Sequence, residues 1–120
     1  MFKVIFYESD DGKRPAEKFL STLEVKMRAK MVGILEILQE NGNQLRETYS
    51  AYLHDGIFEI RGKIGSNITR ILYFFFNDGK IILTNGFIKK TNKIPKNELA
   101  LAKKYRKDYL LREEKQNENS

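Results

Sequence analysis

The chain has 120 residues, enough for one domain with a single hydrophobic core, so no second domain is needed. It contains no cysteine, which excludes disulfide scaffolds, thiol catalysis and cysteine-ligated zinc. The net charge of +6 favours a polyanionic partner.

The N-terminal residues 2–7 alternate in a way that is typical of a strand near the edge of a sheet. Lys3 and the lack of a following long apolar segment indicate a first strand rather than a signal peptide. The longest apolar run, from Ile71 to Phe76, is too short to cross a bilayer as a helix. We therefore expect a cytoplasmic protein.

Two helices are predicted next. Pro15 suits the first turn of a short helix, and Ser21 with Glu24 three residues later has the capping-box pattern that would begin a second one. The second helix carries an apolar stripe and ends at the turn signal around Gly42. The stripe consists of Met27, Met31, Ile34, Leu35 and Leu38. Such stripes usually pack in a core, so we expect these helices to cover the sheet.

Three antiparallel strands follow a polar connection. A turn signal at Asp55-Gly56 begins a strand over residues 57–64, and a second strand covers residues 68–76. The second strand is apolar on both faces, which is typical of the middle of a sheet. A tight turn leads into a third strand over residues 81–87. The predicted fold is α+β, a mostly antiparallel sheet with two N-terminal helices and a C-terminal helix.

The C-terminal helix is predicted to begin at Pro95 and is strongly basic. Residues 89–112 carry nine Lys or Arg against two Asp or Glu, which gives this segment a charge of +7 (9 − 2). Such clustering is typical of a surface that binds a polyanion, although a solvated helix face would look the same. Residues 1–112 form the predicted domain, and residues 113–120 form a polar tail that we expect to be disordered.

Charged residues alternate with apolar ones along the strand over residues 57–64. One face receives Glu59, Arg61 and Lys63, and the other receives Phe58, Ile60 and Ile64. Another cation, Arg70, lies within the next, otherwise apolar strand. Together with the basic segment, this pattern indicates a sheet that handles phosphate groups.

RNA can be cut without a metal when its 2′-hydroxyl attacks the neighbouring phosphate. The reaction needs a base, an acid and cations that stabilise the charge on the phosphoryl oxygens. Arg61 and Arg70 offer planar donor pairs that match phosphate, and Lys89 and Lys90 follow the last strand. These four residues are the predicted catalytic cations.

The proton carrier is less well defined by the sequence. His54 has the most suitable ordinary pKa, Glu59 shares a strand face with Arg61, and Tyr73 follows Arg70 by three positions. Residues three apart on a regular strand face opposite sides, so Tyr73 needs a bulge to stand beside Arg70. The structural alternatives are an ion pair between Glu59 and Arg61, a loop position for His54 and a core position for Tyr73.

Further RNA contacts are expected from basic and aromatic residues near the cations. The predicted RNA-binding residues are Lys63, Lys93, Lys96, Lys103, Lys104, Lys107 and Tyr105, and Tyr52 and Tyr109 are further candidates for base stacking. No phosphate-binding glycine loop, nucleophile elbow or zinc-helix signature occurs. The acidic residues lack a ligand-like repeat, so we predict neither a metal nor a cofactor.

From Asp55 onward, the sequence resembles the phage-derived, HigB-like branch of the RelE/ParE toxin superfamily. The resemblance rests on the segments at residues 55–61, 67–74 and 86–98, where DGIFEIR, NITRILYF and GFIKKT running on to PKNE stand in this order. It covers residues 55–110 closely and the N-terminal part loosely. It implies a RelE-like α+β toxin of a type II toxin–antitoxin pair.

The resemblance further implies ribosome-dependent cleavage of messenger RNA and a complex with a HigA-like helix-turn-helix antitoxin. This toxin–antitoxin complex can be a heterotetramer. The matching basic positions are Arg61, Arg70, Lys89 and Lys90. Two other functions stay open, since fold alone does not determine function. One is a non-catalytic, ParE-like toxin that inhibits DNA gyrase, and the other is an accessory protein that binds nucleic acid.

Overall fold

Five strands form one mostly antiparallel sheet in the computed structural model of the chain, which describes residues 1–42, 49–89 and 94–118. The strand order is β1-β5-β4-β3-β2; β1 is parallel to β5, and the other neighbours are antiparallel. The elements in chain order are β1 (Lys3–Phe6), α1 (Pro15–Thr22), α2 (Val25–Asn41), β2 (Ser50–His54), β3 (Ile57–Ile64), β4 (Asn67–Phe76), β5 (Lys80–Lys89) and α3 (Lys96–Glu118). The predicted α+β fold is confirmed.

The three-stranded meander predicted from the sequence is present as β3, β4 and β5, and the apolar strand β4 lies at the centre of the sheet. Asp55 and Gly56 both have positive φ (49° and 79°) and form the turn before β3. The strand β2 was not predicted. Its five residues are too few to show a clear alternation, and three of them are polar or exposed.

Helices α1 and α2 cover one face of the sheet, as predicted. Their buried side chains pack on Ile60, Ile71 and Leu83. The predicted capping box is wrong, because Ser21 lies within α1 and its hydroxyl donates to the carbonyl of Lys18 at 2.6 Å. Helix α2 instead begins at Val25 without a side-chain cap.

Helix α3 covers part of the opposite face. Ala102 is fully buried there in a cluster with Leu72, Phe74 and Ile82. The helix continues to Glu118, whereas the sequence indicated a disordered tail from residue 113. Glu, Lys and Gln are good helix formers, and extending an existing helix costs less free energy than nucleating a new one. The polar composition of residues 113–118 therefore does not end the helix. Among the described residues, no helix has the length and apolarity needed to cross a bilayer.

Candidate functional site

Three strands bring three of the four predicted catalytic cations together at one end of the sheet. Arg61 on β3 is the register partner of Arg70 on β4. Lys89 on β5 pairs with Ile68, two residues before Arg70. Alternation along the strands places all three cations on the face that carries α3. We call Arg61, Arg70 and Lys89 the cation cluster.

A carboxylate lies within the cation cluster. Nη1 of Arg70 donates to both carboxylate oxygens of Glu59. Glu59 is 2% exposed and Arg70 is 7% exposed, so the pair is almost removed from water. The sequence offered an ion pair between Glu59 and Arg61 as the structural alternative. That prediction is wrong, because the partner of Glu59 is Arg70. The register explains it: Glu59 pairs with Leu72, so Arg70 stands diagonally across from Glu59 on the same face.

The guanidinium of Arg70 keeps a donor beyond the ion pair. Its Nε is buried and has no hydrogen-bond partner among the described residues. A buried donor without a partner costs free energy, and such groups often mark a position that a ligand or water satisfies. Arg70 is therefore fixed by Glu59 on one side and retains a donor for an anion on another.

Lys89 is also buried, with 3% exposure. Burial lowers the pKa of its ammonium group below the ordinary value of 10.5, and the charges of Arg70 and Arg61 lower it further, while Glu59 opposes the change. The register explains these effects, since Arg61 pairs with Arg70 and Lys89 pairs with Ile68, two residues from Arg70. A lysine with a lowered pKa gives up its proton more readily than an exposed one.

A basic cleft of about 320 Å³ opens beside the cluster. It is lined by Lys30, Tyr49, Arg61, Gly62, Lys63, Ile68 and Arg70. Four of these seven residues are cationic, and none of the described lining residues is acidic. The cleft therefore offers a positive site that is connected to the buried ion pair through Arg70.

Two of the predicted proton carriers lie away from the cation cluster. Tyr73 is buried on the face that carries α1 and α2, and its hydroxyl is 2.8 Å from that of Ser50. The ladder between β3 and β4 is regular, and the irregularity next to Tyr73 lies in the pairing with β5, so no bulge brings Tyr73 to Arg70. The structure thus gives Tyr73 the core position, not the catalytic one.

His54 stands near the opposite end of β3 from Arg61. Its register partner Ile57 is four residues from Arg61, about 13 Å along a strand. His54 is exposed, and its Nδ1 lies 3.1 Å from the carboxylate of Asp55. Only Glu59, of the three predicted proton carriers, belongs to the cluster.

The described members of the predicted RNA-binding set lie on β3 and α3. Lys63 lines the basic cleft, and Lys96, Lys104 and Lys107 are exposed on α3. Lys103 forms an ion pair with Asp55 at 3.1 Å. Lys93 of this set and Lys90 of the catalytic set lie outside the described residues.

The three aromatic candidates have partners within the fold. Tyr105 stacks on Tyr7 with 4.5 Å between ring centroids. Tyr109 packs on Phe74 and Phe76, and Tyr52 packs on Phe58. The helical spacing of Tyr105 and Tyr109 thus reflects packing on the sheet.

Four residues of the cleft were not predicted as site residues: Lys30, Tyr49, Gly62 and Ile68. Lys30 belongs to α2, and only the packing of α2 on β3 shows that it reaches the site. Tyr49 precedes the strand that was not predicted, and its carbonyl accepts a hydrogen bond from the backbone N–H of Arg61 at 2.9 Å. Recognising β2 would have placed Tyr49 opposite Arg61.

The arrangement can bind an anion and move a proton. It supplies guanidinium donors, an ammonium group of lowered pKa and a buried carboxylate. Within the described part of the chain, no group of three or more His, Asp or Glu residues is placed to hold a metal ion. Cations and a proton donor around an anion site are what phosphoryl chemistry requires.

Comparison with known proteins gives a family for the chain. No curated protein matches the chain significantly. A family model, described as phage derived protein Gp49-like (DUF891), matches residues 18–107, which include α2, the whole sheet except β1, and about half of α3. That family is toxin-like in the sense of toxin–antitoxin systems. With three quarters of its length matched and every cation of the cluster inside the match, the chain belongs to the phage-derived Gp49-like family.

Proposed function

We propose that this protein is the toxin of a type II toxin–antitoxin pair, of the HigB-like branch of the RelE/ParE superfamily, and that it cleaves messenger RNA on the ribosome. The convergence of Arg61, Arg70 and Lys89 around the Glu59 carboxylate carries the proposal. Membership of a toxin-like family supports the toxin role and an antitoxin partner. The ribosome and the cleavage reaction are part of the proposal.

In the proposed reaction, the RNA 2′-hydroxyl attacks the adjacent phosphorus and the 5′-oxygen leaves. Arg61 and the Nε of Arg70 bind the phosphoryl oxygens, whose negative charge grows in the transition state. Lys89 donates a proton to the leaving oxygen, a role for which its lowered pKa is suited. The products are a 2′,3′-cyclic phosphate and a 5′-hydroxyl.

Glu59 is the proposed acceptor of the 2′-hydroxyl proton. Of the predicted proton carriers, it is the one inside the cluster, while His54 and Tyr73 lie elsewhere. Glu59 gains one proton and Lys89 loses one, so the reaction leaves the total number of protons on the protein unchanged. Proton exchange with water then returns Glu59 to the carboxylate and Lys89 to the ammonium form. Glu59 also fixes Arg70, so the same residue positions a cation and accepts a proton.

The wider basic surface would hold the RNA backbone. Lys63 in the cleft and the exposed Lys96, Lys104 and Lys107 on α3 each supply a cation that can contact a phosphate. Phosphate contacts of this kind give affinity that falls steeply with salt and carries little sequence information. On the ribosome, they would bind ribosomal or messenger RNA alike.

A second candidate is a non-catalytic toxin that inhibits DNA gyrase. One observation favours it: the buried ion pair with Glu59 is also what a purely structural Arg70 would form. In that case, exposed cations of α3 such as Lys104 and Lys107 would make the decisive contacts. A nucleic-acid-binding accessory protein would show salt-sensitive binding with neither cutting nor growth arrest.

Inducing the protein in cells and mapping new 5′ ends on translated messages tests the proposal. Cuts in phase with codons are expected for a ribosome-dependent nuclease. Growth arrest with DNA breaks and intact transcripts would contradict the nuclease and select gyrase inhibition. Normal growth with intact transcripts would contradict both toxin functions.

The proposed partner is a HigA-like helix-turn-helix antitoxin, in a complex that can be a heterotetramer, and we propose that it acts by covering the basic surface. Adding purified antitoxin to a cleavage reaction should abolish cutting at one antitoxin per toxin. Full activity in the saturated complex would refute the inhibitory role.

A further inference from the structure

We propose that Tyr49 and Ile68 form a subsite for one unpaired nucleobase, next to the cations that hold the phosphate. The inference rests on the proposed function, because it takes RNA as the ligand. It extends that function by naming the residues that bind the base of the nucleotide beside the reacting phosphate. The subsite is the apolar part of the basic cleft.

The cleft has two chemically different parts. Arg61, Lys63 and Arg70 make one part cationic, while Tyr49, Ile68 and the backbone of Gly62 contribute aromatic, aliphatic and uncharged surface. A nucleotide has the same division between an anionic phosphate and a flat apolar base. The faces of bases stack on aromatic side chains in single-strand binding sites.

Tyr49 is held in register with the cations. Its carbonyl accepts the N–H of Arg61 at 2.9 Å, which extends the ladder between β2 and β3 by one pair. The distance between Tyr49 and the guanidinium groups is thereby set by strand geometry. Tyr49 is 37% exposed, so part of the side chain is accessible to a ligand.

The cleft is the size of a site for a single small ligand. A volume of about 320 Å³ lies at the low end of the range for small-molecule sites, so it suits one nucleotide better than several. Gly62 helps to shape it: a Cβ there would stand 2.6 Å from Sδ of Met31. The missing side chain lets α2 approach β3 and brings Lys30 to the rim of the cleft.

Other tyrosines on the surface are placed differently. Tyr52 is more exposed than Tyr49, yet its ring packs on Phe58 and its hydroxyl accepts the N–H of Gly56 at 3.2 Å. Tyr105 stacks on Tyr7. Tyr49 is the tyrosine that the structure places in the cleft with the cations, which makes Tyr52 a suitable control.

The test compares two probes that cannot be cut. One is an all-deoxy hexanucleotide of thymidine, and the other is a hexamer of abasic deoxyribose phosphates with the same number of charges. Binding is measured at low salt by competition with a fluorescent oligonucleotide. The variants are Tyr49→Leu, Tyr49→Phe and the matched control Tyr52→Leu, each checked for native circular dichroism.

The natural protein and the Tyr52→Leu variant should bind the thymidine probe about tenfold more tightly than the abasic probe, a ratio that corresponds to about 1.4 kcal/mol. Tyr49→Leu should lose this preference while keeping its affinity for the abasic probe, and Tyr49→Phe should retain it. A preference that survives in Tyr49→Leu, or that Tyr52→Leu loses equally, would overturn the subsite.

The result does not depend on catalysis, because neither probe has a 2′-hydroxyl. A base preference that requires Tyr49 supports the subsite even if induction in cells yields no cut messages, in which case the nuclease proposal alone fails. Codon-phased cuts together with no effect of Tyr49→Leu on either probe would refute the subsite alone.

Discussion

Nη1 of Arg70 donates to both carboxylate oxygens of Glu59, and this pair is buried at the centre of the cation cluster. Three cations and one carboxylate leave a net charge of +2 on Arg61, Arg70, Lys89 and Glu59 (3 − 1). Arg70 therefore does not present its whole guanidinium to a ligand. Its Nε is a donor that has no hydrogen-bond partner among the described residues.

Replacing Glu59 by Gln should destabilise the protein by about 3 kcal/mol, since a buried ion pair that loses one member leaves an uncompensated charge. The measurement is the free energy of unfolding in urea. Replacing both members, by Glu59→Leu with Arg70→Met, should recover most of the loss.

Asp55→Asn is the matched control for that experiment, because Asp55 forms an exposed ion pair with Lys103. Its urea midpoint should be nearly that of the natural protein. If Glu59→Gln is equally mild, Arg70 is not held in the way that the structure indicates.

Lys89 should set the alkaline limit of RNA cleavage. Burial and the neighbouring arginines lower its pKa below 10.5, and a general acid must be protonated to act. The cleavage rate should therefore fall as the pH rises through this lowered pKa, below the range of an ordinary lysine.

Lys89→Arg keeps the charge but not the titration, since an arginine stays protonated. This variant should cleave at least tenfold more slowly at pH 7, and its cleavage rate should not fall in the pH range where Lys89 loses its proton. The same fall in Lys89→Arg would show that another group is the acid. The uncatalysed hydrolysis of RNA is subtracted at each pH.

Tyr7 should make stability depend on pH in alkali. Burial, together with the hydrogen bond that its hydroxyl donates to Asp108 at 2.6 Å, raises the pKa of Tyr7 to about 12, against about 10 in the unfolded chain. A raised pKa contributes stability that is complete below pH 10 and is lost as the pH rises towards 12.

The free energy of unfolding should thus fall by up to about 2 kcal/mol across this window, and Tyr7→Phe should remove that part of the slope. The difference between the two proteins isolates Tyr7 from the other tyrosines. Equal slopes in both would contradict the hydrogen bond from Tyr7 to Asp108.

Replacement by alanine should have opposite effects on stability at Gly33, inside α2, and at Gly42, directly after the C-terminus of α2. At Gly33, inside the helix, a Cβ would meet nothing within 4 Å, so Gly33→Ala should stabilise the protein by about 0.5–1 kcal/mol. Gly42 has a φ of +54°, and a Cβ there would lie 2.0 Å from the ring of Phe2. Gly42→Ala should therefore destabilise it by more than 1 kcal/mol. Chemical denaturation of both variants measures the contrast, and a common sign would be inconsistent with the structure.

The sequence was sufficient for most of the sheet because its strands carry strong signals. The strand β3 was predicted with its bounds, and the central position of β4 followed from its apolar residues on both faces. The strand β2 was missed because five residues show little periodicity. The true start of α2 was missed because this helix begins without a side-chain cap.

The site was predictable in part. Alternation along β3 and the guanidinium within β4 were enough to select Arg61 and Arg70, whose register then places them side by side. The partner of Glu59 was not predictable, because it depends on how β3 is aligned with β4. Lys30 and Tyr49 reach the cleft only because α2 and β2 pack beside β3, and no local sequence pattern indicates that packing.

The most direct test of the central claim is the rate of messenger RNA cleavage in purified ribosome complexes under single-turnover conditions. Arg61→Ala should cut at least tenfold more slowly than the natural protein, a loss of about 1.4 kcal/mol in transition-state stabilisation. Lys3→Ala, which removes a cation at the other end of the sheet where Lys3 pairs with Lys80, should cut at the normal rate. Equal rates for all three proteins would contradict the claim that the cation cluster binds the reacting phosphate.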